Sequence, residues 1–234
     1  MKIFGDLGSG NCLKVRYAAD HLRLPYTWLN VDIMKGETHT PQFLAQFPLG
    51  RIPAVEFDDG RRLAESNAII RYLARGSALL PDDGFVQAKI DELLFWEQYS
   101  HEPYIATTRY HIVYLKRSLE EREAWRVERG EAALDLMDRL LAGRGWLVGK
   151  TMTVADIALV AYTRLAHDGG FDLASRHNVR AWIARCEETL GLETMGPGDH
   201  GPGDHGPGDQ GPGDQGPGDI GLETLGPGPT ANDR

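Results

Sequence analysis

Cysteine is scarce in this chain. Its 234 residues contain two, Cys12 and Cys186, and neither belongs to a Cys-x-x-Cys pair. That disfavours a disulfide framework or a zinc cluster, so no metal is expected, and it fits a reducing cytoplasm. Long apolar runs are missing too. No stretch approaches the roughly 20 residues of a membrane span, and Met1 to Asp6 lacks the apolar core of a signal peptide. The expectation is a cytoplasmic protein without a membrane partner. Basic residues are outnumbered, 25 Lys and Arg against 34 Asp and Glu, for a net charge of −9. That excludes a broad nucleic-acid surface, which needs clustered cations. What remains, 41% hydrophobic and 25% charged residues, is the balance of a folded globular chain of one large domain or two small ones.

The most informative stretch is residues 50–74. Two short apolar runs, Ala54 to Phe57 and Leu63-Ala64, flank Asp58-Asp59-Gly60, a strong hairpin signal. Pro53 stands at the first strand's entry, where a missing N–H does no harm. Ser66 precedes Asn67 to Leu73, with apolar residues at helical spacing, and reads as an N-cap. A cis Ile52–Pro53 bond would let the Ile52 backbone face outward and pair with another peptide. The helix start after Ser66 would favour a carboxylate. Together they suit a small peptide with a free carboxylate; the plainer reading is a proline at a strand entry and an ordinary helix cap.

Upstream, Lys2 to Gly5 predicts a strand and Asp6 to Gly10 a tight glycine-rich loop. Asn11 to Leu22 predicts a helix through Val15, Ala18, Ala19 and Leu22, and Tyr26 to Asp32 a second strand. This is a right-handed βαβ unit. Thr40 caps a short helix with Pro41 at its first position. The order β-α-β-α-β-β-α, ending near Arg75, is thioredoxin-like.

At this point the chain resembles the glutathione transferases. Residues 51–55 match the family's Arg/Lys-Ile-Pro-x-Val, and Glu65-Ser66-Asn67-Ala68-Ile69 matches Glu-Ser-x-Ala-Ile. Ser9-Gly10-Asn11-Cys12-Leu13-Lys14 resembles the Ser-Gly-Asn-Cys-x-Lys start of a large bacterial, serine-type-like subgroup. The resemblance implies a cis Pro53, a thioredoxin-like α/β N-terminal domain that binds glutathione (1–75), a linker (76–84) and an all-α C-terminal helical bundle (85–192). It implies a cytosolic detoxifying enzyme, usually a homodimer, that takes glutathione as co-substrate and needs no cofactor.

In the second half, Phe85 to Tyr99 predicts a long helix that Pro103 kinks or interrupts. Ala124 to Leu141 predicts another, stopped by Gly143 and Gly145. Thr153-Val154-Ala155-Asp156 forms a capping box, with Met152 and Ile157 as its staple. That accounts for Asp156 structurally rather than catalytically. Val179 to Leu190 predicts a last helix. Residues 193–234 are low-complexity: five consecutive Gly-Pro-Gly-Asp-x pentads run from Gly196 to Ile220. Such a tail cannot offset its ordering entropy, and disorder is expected. His200 and His205 are weak metal candidates at best.

The chemistry to be done is activation of a thiol. A free thiol has a pKa of about 8.5, and a donor aimed at the sulfur beside a helix N-terminus stabilises the thiolate. Ser9 leads as that donor, since serine is too weak a base to take the proton. Asn11 offers a second donor. Cys12 is the rival, as a residue forming a mixed disulfide. By resemblance, Ile52, beside Pro53, pairs with the cysteinyl part of glutathione. Glu65 and Ser66 hold the γ-glutamyl end, and His39 and Arg51 are candidates for the glycyl carboxylate. Tyr99, His101, Tyr104, Arg109 and Tyr110 are candidates for the pocket of a small hydrophobic electrophile. Two other functions compete with conjugation: a glutathione-dependent disulfide or peroxide reductase using Cys12 and Asn11, and a non-enzymatic interaction module of the same fold.

Overall fold

A computed structural model describes residues 1–193, all within one unit by their internal contacts. The Gly-Pro-Gly-Asp-x array, its expected disorder, and His200 and His205 lie outside the described residues.

Strand β1 (Lys2–Gly5) pairs in parallel with β2 (Thr27–Asn30) across helix α1 (Gly10–His21). On its other side β1 pairs antiparallel with β3 (Ala54–Glu56), which turns back into β4 (Arg62–Ala64), giving the sheet order β2-β1-β3-β4. Ile3 and Val55 are register partners and both fully buried, so one sheet face carries the core. The short helix α2 (Pro41–Gln46) begins as expected, with Thr40 Oγ1 accepting from Phe43 N–H at 3.3 Å. Phe43 and Phe47 pack with Val31 and Ala54, and Ile52 lies against this cluster. The Ile52–Pro53 bond is cis.

Helix α3 (Ser66–Leu73) corrects one expectation. Ser66 is its first residue, and Glu65 holds the cap position at φ 68°. A non-glycine residue there carries backbone strain of order 1–3 kcal/mol. No side chain caps this helix. Ser66 Oγ turns instead to Asn11 Oδ1, donating at 3.2 Å.

The helical half starts at α4 (Gly84–Trp96), capped by Asp83. The expected long helix does not run to Tyr99. A π-helical stretch, Glu97–His101, follows Trp96, and α5 (Glu102–Val113) starts one residue before Pro103. Placed in the first turn, Pro103 forfeits no intrahelical bond. The interruption that the proline imposes is taken up by the π turn, a feature that often marks functional segments. Helix α6 (Ala124–Leu141) has the expected bounds. Helix α7 (Val154–Thr163) is buried on every side, as a helix apolar all round must be. Its capping box joins Thr153 and Asp156. Asp156 also accepts from Leu147 N–H at 3.0 Å and Trp182 Nε1–H at 2.9 Å. It is therefore a structural anchor for α8 (His177–Leu190), which carries Trp182.

Helix α1 packs on both α3 and α7, which explains why Cys12, Lys14 and Tyr17 are buried along with its apolar face. Among the described residues no helix is long and apolar enough to cross a membrane.

Candidate active site

Two glycines let the loop before α1 lie flat against the helical half. A Cβ on Gly10 would sit 2.6 Å from the Tyr162 ring, and one on Gly8 would collide with the Tyr114 hydroxyl. Between them stands Ser9, the N-cap of α1, whose side chain makes no capping bond. Its hydroxyl instead lies within hydrogen-bonding reach of the Tyr162 phenol and the Cys12 thiol. A cleft of about 200 Å³ opens here, lined by Gly8, Ser9 and Ile33 on one side and Glu102, Arg109 and Tyr110 among others on the other.

The loop is held from α5 at two points. Arg109 Nη1 donates to Gly8 O at 2.8 Å while its Nε donates to Asp168 Oδ2 at 2.7 Å. The Tyr114 hydroxyl donates to Asp6 Oδ2 at 2.8 Å, and Asp6 Oδ1 accepts from Gly8 N–H at 2.8 Å. Burial and the Asp6 charge push the Tyr114 phenol upward. Burial, followed by the charge of Glu102, does the same for Tyr162, so both stay protonated; the Asn11 N–H and the Ser9 hydroxyl act on Tyr162 in the opposite sense.

A buried ladder connects α1 to the π stretch. Lys14 Nζ reaches both Glu97 oxygens at 2.9 Å and lies 3.5 Å from Ser66 Oγ; Lys14 and Glu97 are both fully buried. Burial pulls Glu97 up, but Lys14 and then His101 outweigh it and hold the carboxylate below its usual range. One turn earlier, Asn11 Nδ2 donates to Glu102 Oε1 at 3.2 Å.

Four expected site residues lie elsewhere than predicted. Cys12 is fully buried, and burial pushes its thiol up to about 12. The helix N-terminus does not compensate, so the thiolate that mixed-disulfide chemistry needs is disfavoured. Tyr99 projects into solvent at 82% exposure. His101 is fully buried, bonded to Thr163 Oγ1 at 2.9 Å, and burial lowers it to about 4. Tyr104 faces Trp125 and Arg129 rather than the cleft. Of the five pocket candidates, Arg109 and Tyr110 line the cleft.

On the sheet side, neither the N–H nor the C=O of Ile52 takes a partner among the described residues. The N–H groups of Ser66, Asn67 and Ala68 at the start of α3 also take none there. His39 and Arg51 are exposed, and His39 Nε2 comes within 3.8 Å of a Cβ built on Gly50. The arrangement offers an unpaired peptide edge, an uncapped helix start and, at a second helix start, a serine hydroxyl beside the Tyr162 phenol.

Comparison with known proteins assigns the fold. Residues 8–75 match the family described as Glutathione S-transferase, N-terminal domain, and residues 99–189 match Glutathione S-transferase, C-terminal domain. The chain belongs to the glutathione S-transferase family of enzymes. It is 30% identical over 196 residues to a glutathione S-transferase of Arabidopsis thaliana, covering 79% of this chain and 90% of that one. It is 35% identical over 163 residues to a glutathione S-transferase-like protein of a Fusarium species, covering 65% of this chain and 73% of that one. The crystal structure of a glutathione S-transferase from Pseudomonas fluorescens superposes with a TM-score of 0.77 at 45% identity, covering 80% of this chain and 94% of that one. The thioredoxin-like sheet half and the helical half are those of this family's fold.

Sequence reasoning missed Lys14, Glu102, Tyr114 and Tyr162. Lys14 had a signal: it lies four residues before Ala18 on a face of α1 that is otherwise apolar. The tyrosines had none, because their contacts with the loop before α1, Tyr114 with Asp6 and Tyr162 with Gly10, join residues more than a hundred positions apart.

Proposed function

We propose that this glutathione transferase binds glutathione along Ile52, stabilises its thiolate at Ser9 and conjugates it to small hydrophobic electrophiles. The observation that carries the reading is the Ser9 hydroxyl: it sits at the N-terminus of α1, makes no capping bond, and faces the cleft. A hydroxyl donor and the positive end of a helix both favour an anion there. Ile52 supplies a backbone donor and acceptor for the cysteinyl part. The open start of α3, with Glu65 and Ser66, suits the γ-glutamyl carboxylate, and Arg51 and His39 are the candidates for the glycyl end. Asn11, bridging Ser66 and Glu102, shapes the site rather than reaching the sulfur. Thiolate attack on an electrophilic carbon then gains most from positioning and charge stabilisation. No further cofactor is needed for that step.

The Ser-Gly-Asn-Cys motif and the likeness to the Pseudomonas fluorescens structure support a bacterial, serine-type-like subgroup, a cytoplasmic setting and a detoxifying role. Residues 1–75 and 85–192 divide the work as glutathione-binding and electrophile-binding halves joined by 76–84. For a homodimer, α4 offers a candidate face, since its Phe85 and Phe95 are 76% and 75% exposed. The burial of Cys12 speaks against the reductase alternative. The test is a co-crystal with glutathione. Sulfur within hydrogen-bonding reach of Ser9 Oγ is expected; sulfur placed away from residues 9–12 would refute the reading.

A further inference from the structure

If Ser9 only donates a hydrogen bond, the proton of the thiol still has to go somewhere. The cleft contains a group suited to receive it. Glu102 is the first residue of α5 and lines the same cleft as Ser9. Its Oε1 accepts from Asn11 Nδ2 at 3.2 Å, and its Oε2 takes no partner among the described residues. The π stretch explains how it comes to face the cleft. Glu97 and Glu102 are five residues apart, the hydrogen-bond span of a π turn, and both carboxylates reach α1. There they meet Lys14 and Asn11, three residues apart on that helix. Glu97 is consumed by the buried lysine. Glu102 has a neutral amide for a partner and keeps an oxygen free.

We propose that Glu102 is the general base and acid of this cleft: its carboxylate takes the proton of the glutathione thiol and returns it to the substrate carbon when the thiolate adds to a conjugated carbonyl compound. This rests on the placement of glutathione sulfur at Ser9. The proton balance closes within the site. The S–H bond breaks and a carboxyl O–H forms. The C–S bond then forms as the C=C electron pair moves toward the carbonyl, giving an enolate. The enolate takes the proton from Glu102, a C–H bond forms, and the carboxylate is restored. No oxidant or reductant enters, and the product is glutathione plus acceptor. A substitution that expels halide needs no proton returned to carbon, so Glu102 biases the site toward additions.

The electrostatic setting agrees. Burial lifts the Glu102 carboxyl above its ordinary range and Glu97 adds to the lift; Lys14, the Asn11 amide and Arg51 oppose it. Arg109, Tyr110, Tyr114 and Tyr162 complete the polar lining around it. A raised carboxyl is a better proton acceptor than an ordinary one.

Two measurements test this. The first uses the unaltered full chain. Glutathione is titrated by calorimetry in two buffers of different ionisation enthalpy while ultraviolet absorbance follows the thiolate. Thiolate formation with no net proton released is expected; about one proton released per thiolate overturns the assignment. The second compares the parent with E102Q, whose amide oxygen still accepts from Asn11. Its kcat/KM for a conjugated enone should fall roughly a hundredfold, and that for a chlorodinitroarene, which needs the base but no returned proton, should fall by less. An unaltered ratio of enone to haloarene rates overturns it. A parent that binds no glutathione instead refutes the underlying reading of the site.

Discussion

Arg109 Nη1 donates to the carbonyl oxygen of Gly8 at 2.8 Å, so a helix of the C-terminal half fixes the residue just before Ser9. The same guanidinium is paired with Asp168, and both side chains are almost fully buried, at 6% and 1% exposure. Only a forked donor can serve both partners at once. Arg109→Lys should therefore lower kcat/KM by about tenfold to a hundredfold, because a loop displaced by about 1 Å costs on that order. Arg109→Ala should cost roughly 3–5 kcal/mol in urea unfolding, since Asp168 loses its buried counter-charge. Full stability in R109A would refute the clamp.

Ser9→Ala should leave glutathione affinity nearly intact and move the pH midpoint of conjugation upward. A hydrogen bond to a charged group is worth roughly 1.5–3 kcal/mol, or about one to two pH units. A pH–rate profile for S9A that overlays the parent's would count against the serine.

Cys12 should be inert in the folded enzyme. Burial holds its thiol near 12, so iodoacetamide at neutral pH should label it only after denaturation. Cys12→Ala should keep the parent's turnover. Rapid native labelling of Cys12, read by peptide mass, would contradict this.

Stability should fall on acidification through two buried groups. His101 is lowered to about 4, below its unfolded value near 6.5, so between those values the unfolded chain binds more protons. Glu97 is also lowered, and its contribution, complete above the ordinary glutamate range, is lost as pH falls further. In both cases stability rises with pH. Urea midpoints should drop from pH 7 to pH 5, and His101→Gln should shrink that drop. An equal drop in H101Q would show that other groups set the acid limb.

Asp156→Ala should destabilise without touching the chemistry. It removes a cap worth about 1 kcal/mol and leaves the Leu147 N–H and Trp182 Nε1–H unpaired at roughly 1–3 kcal/mol each. The loss should be seen in unfolding, with KM for glutathione unchanged once the protein is folded.

Local chemistry was legible from the chain alone. The Thr40-Pro41 helix start, the Asp-Gly hairpin and the Thr153–Asp156 box each involve neighbours within a few residues, so the sequence displays both partners. The same holds for the strand and helix order of the first half. The strained Glu65 was not legible, because Ser66 looks like a cap until Asn11, 55 positions away, claims its hydroxyl. Pro103 announced an interruption but not its form. A π turn is chosen by what its side chains meet, here Lys14 and Asn11.

What the sequence determined by itself was the family, through three motifs in order, and the elements that begin and end on local signals. The tertiary structure decided which polar residues face the cleft. Cys12 and Ser9 are three apart, yet Cys12 is fully buried while Ser9, the cap residue just before α1, lines the cleft, because α1 is packed on both α3 and α7. Lys14, Glu102, Arg109 and Tyr114 gain their roles from partners up to 108 positions away. No local pattern encodes such a distance; it is set by how the helices close on the loop.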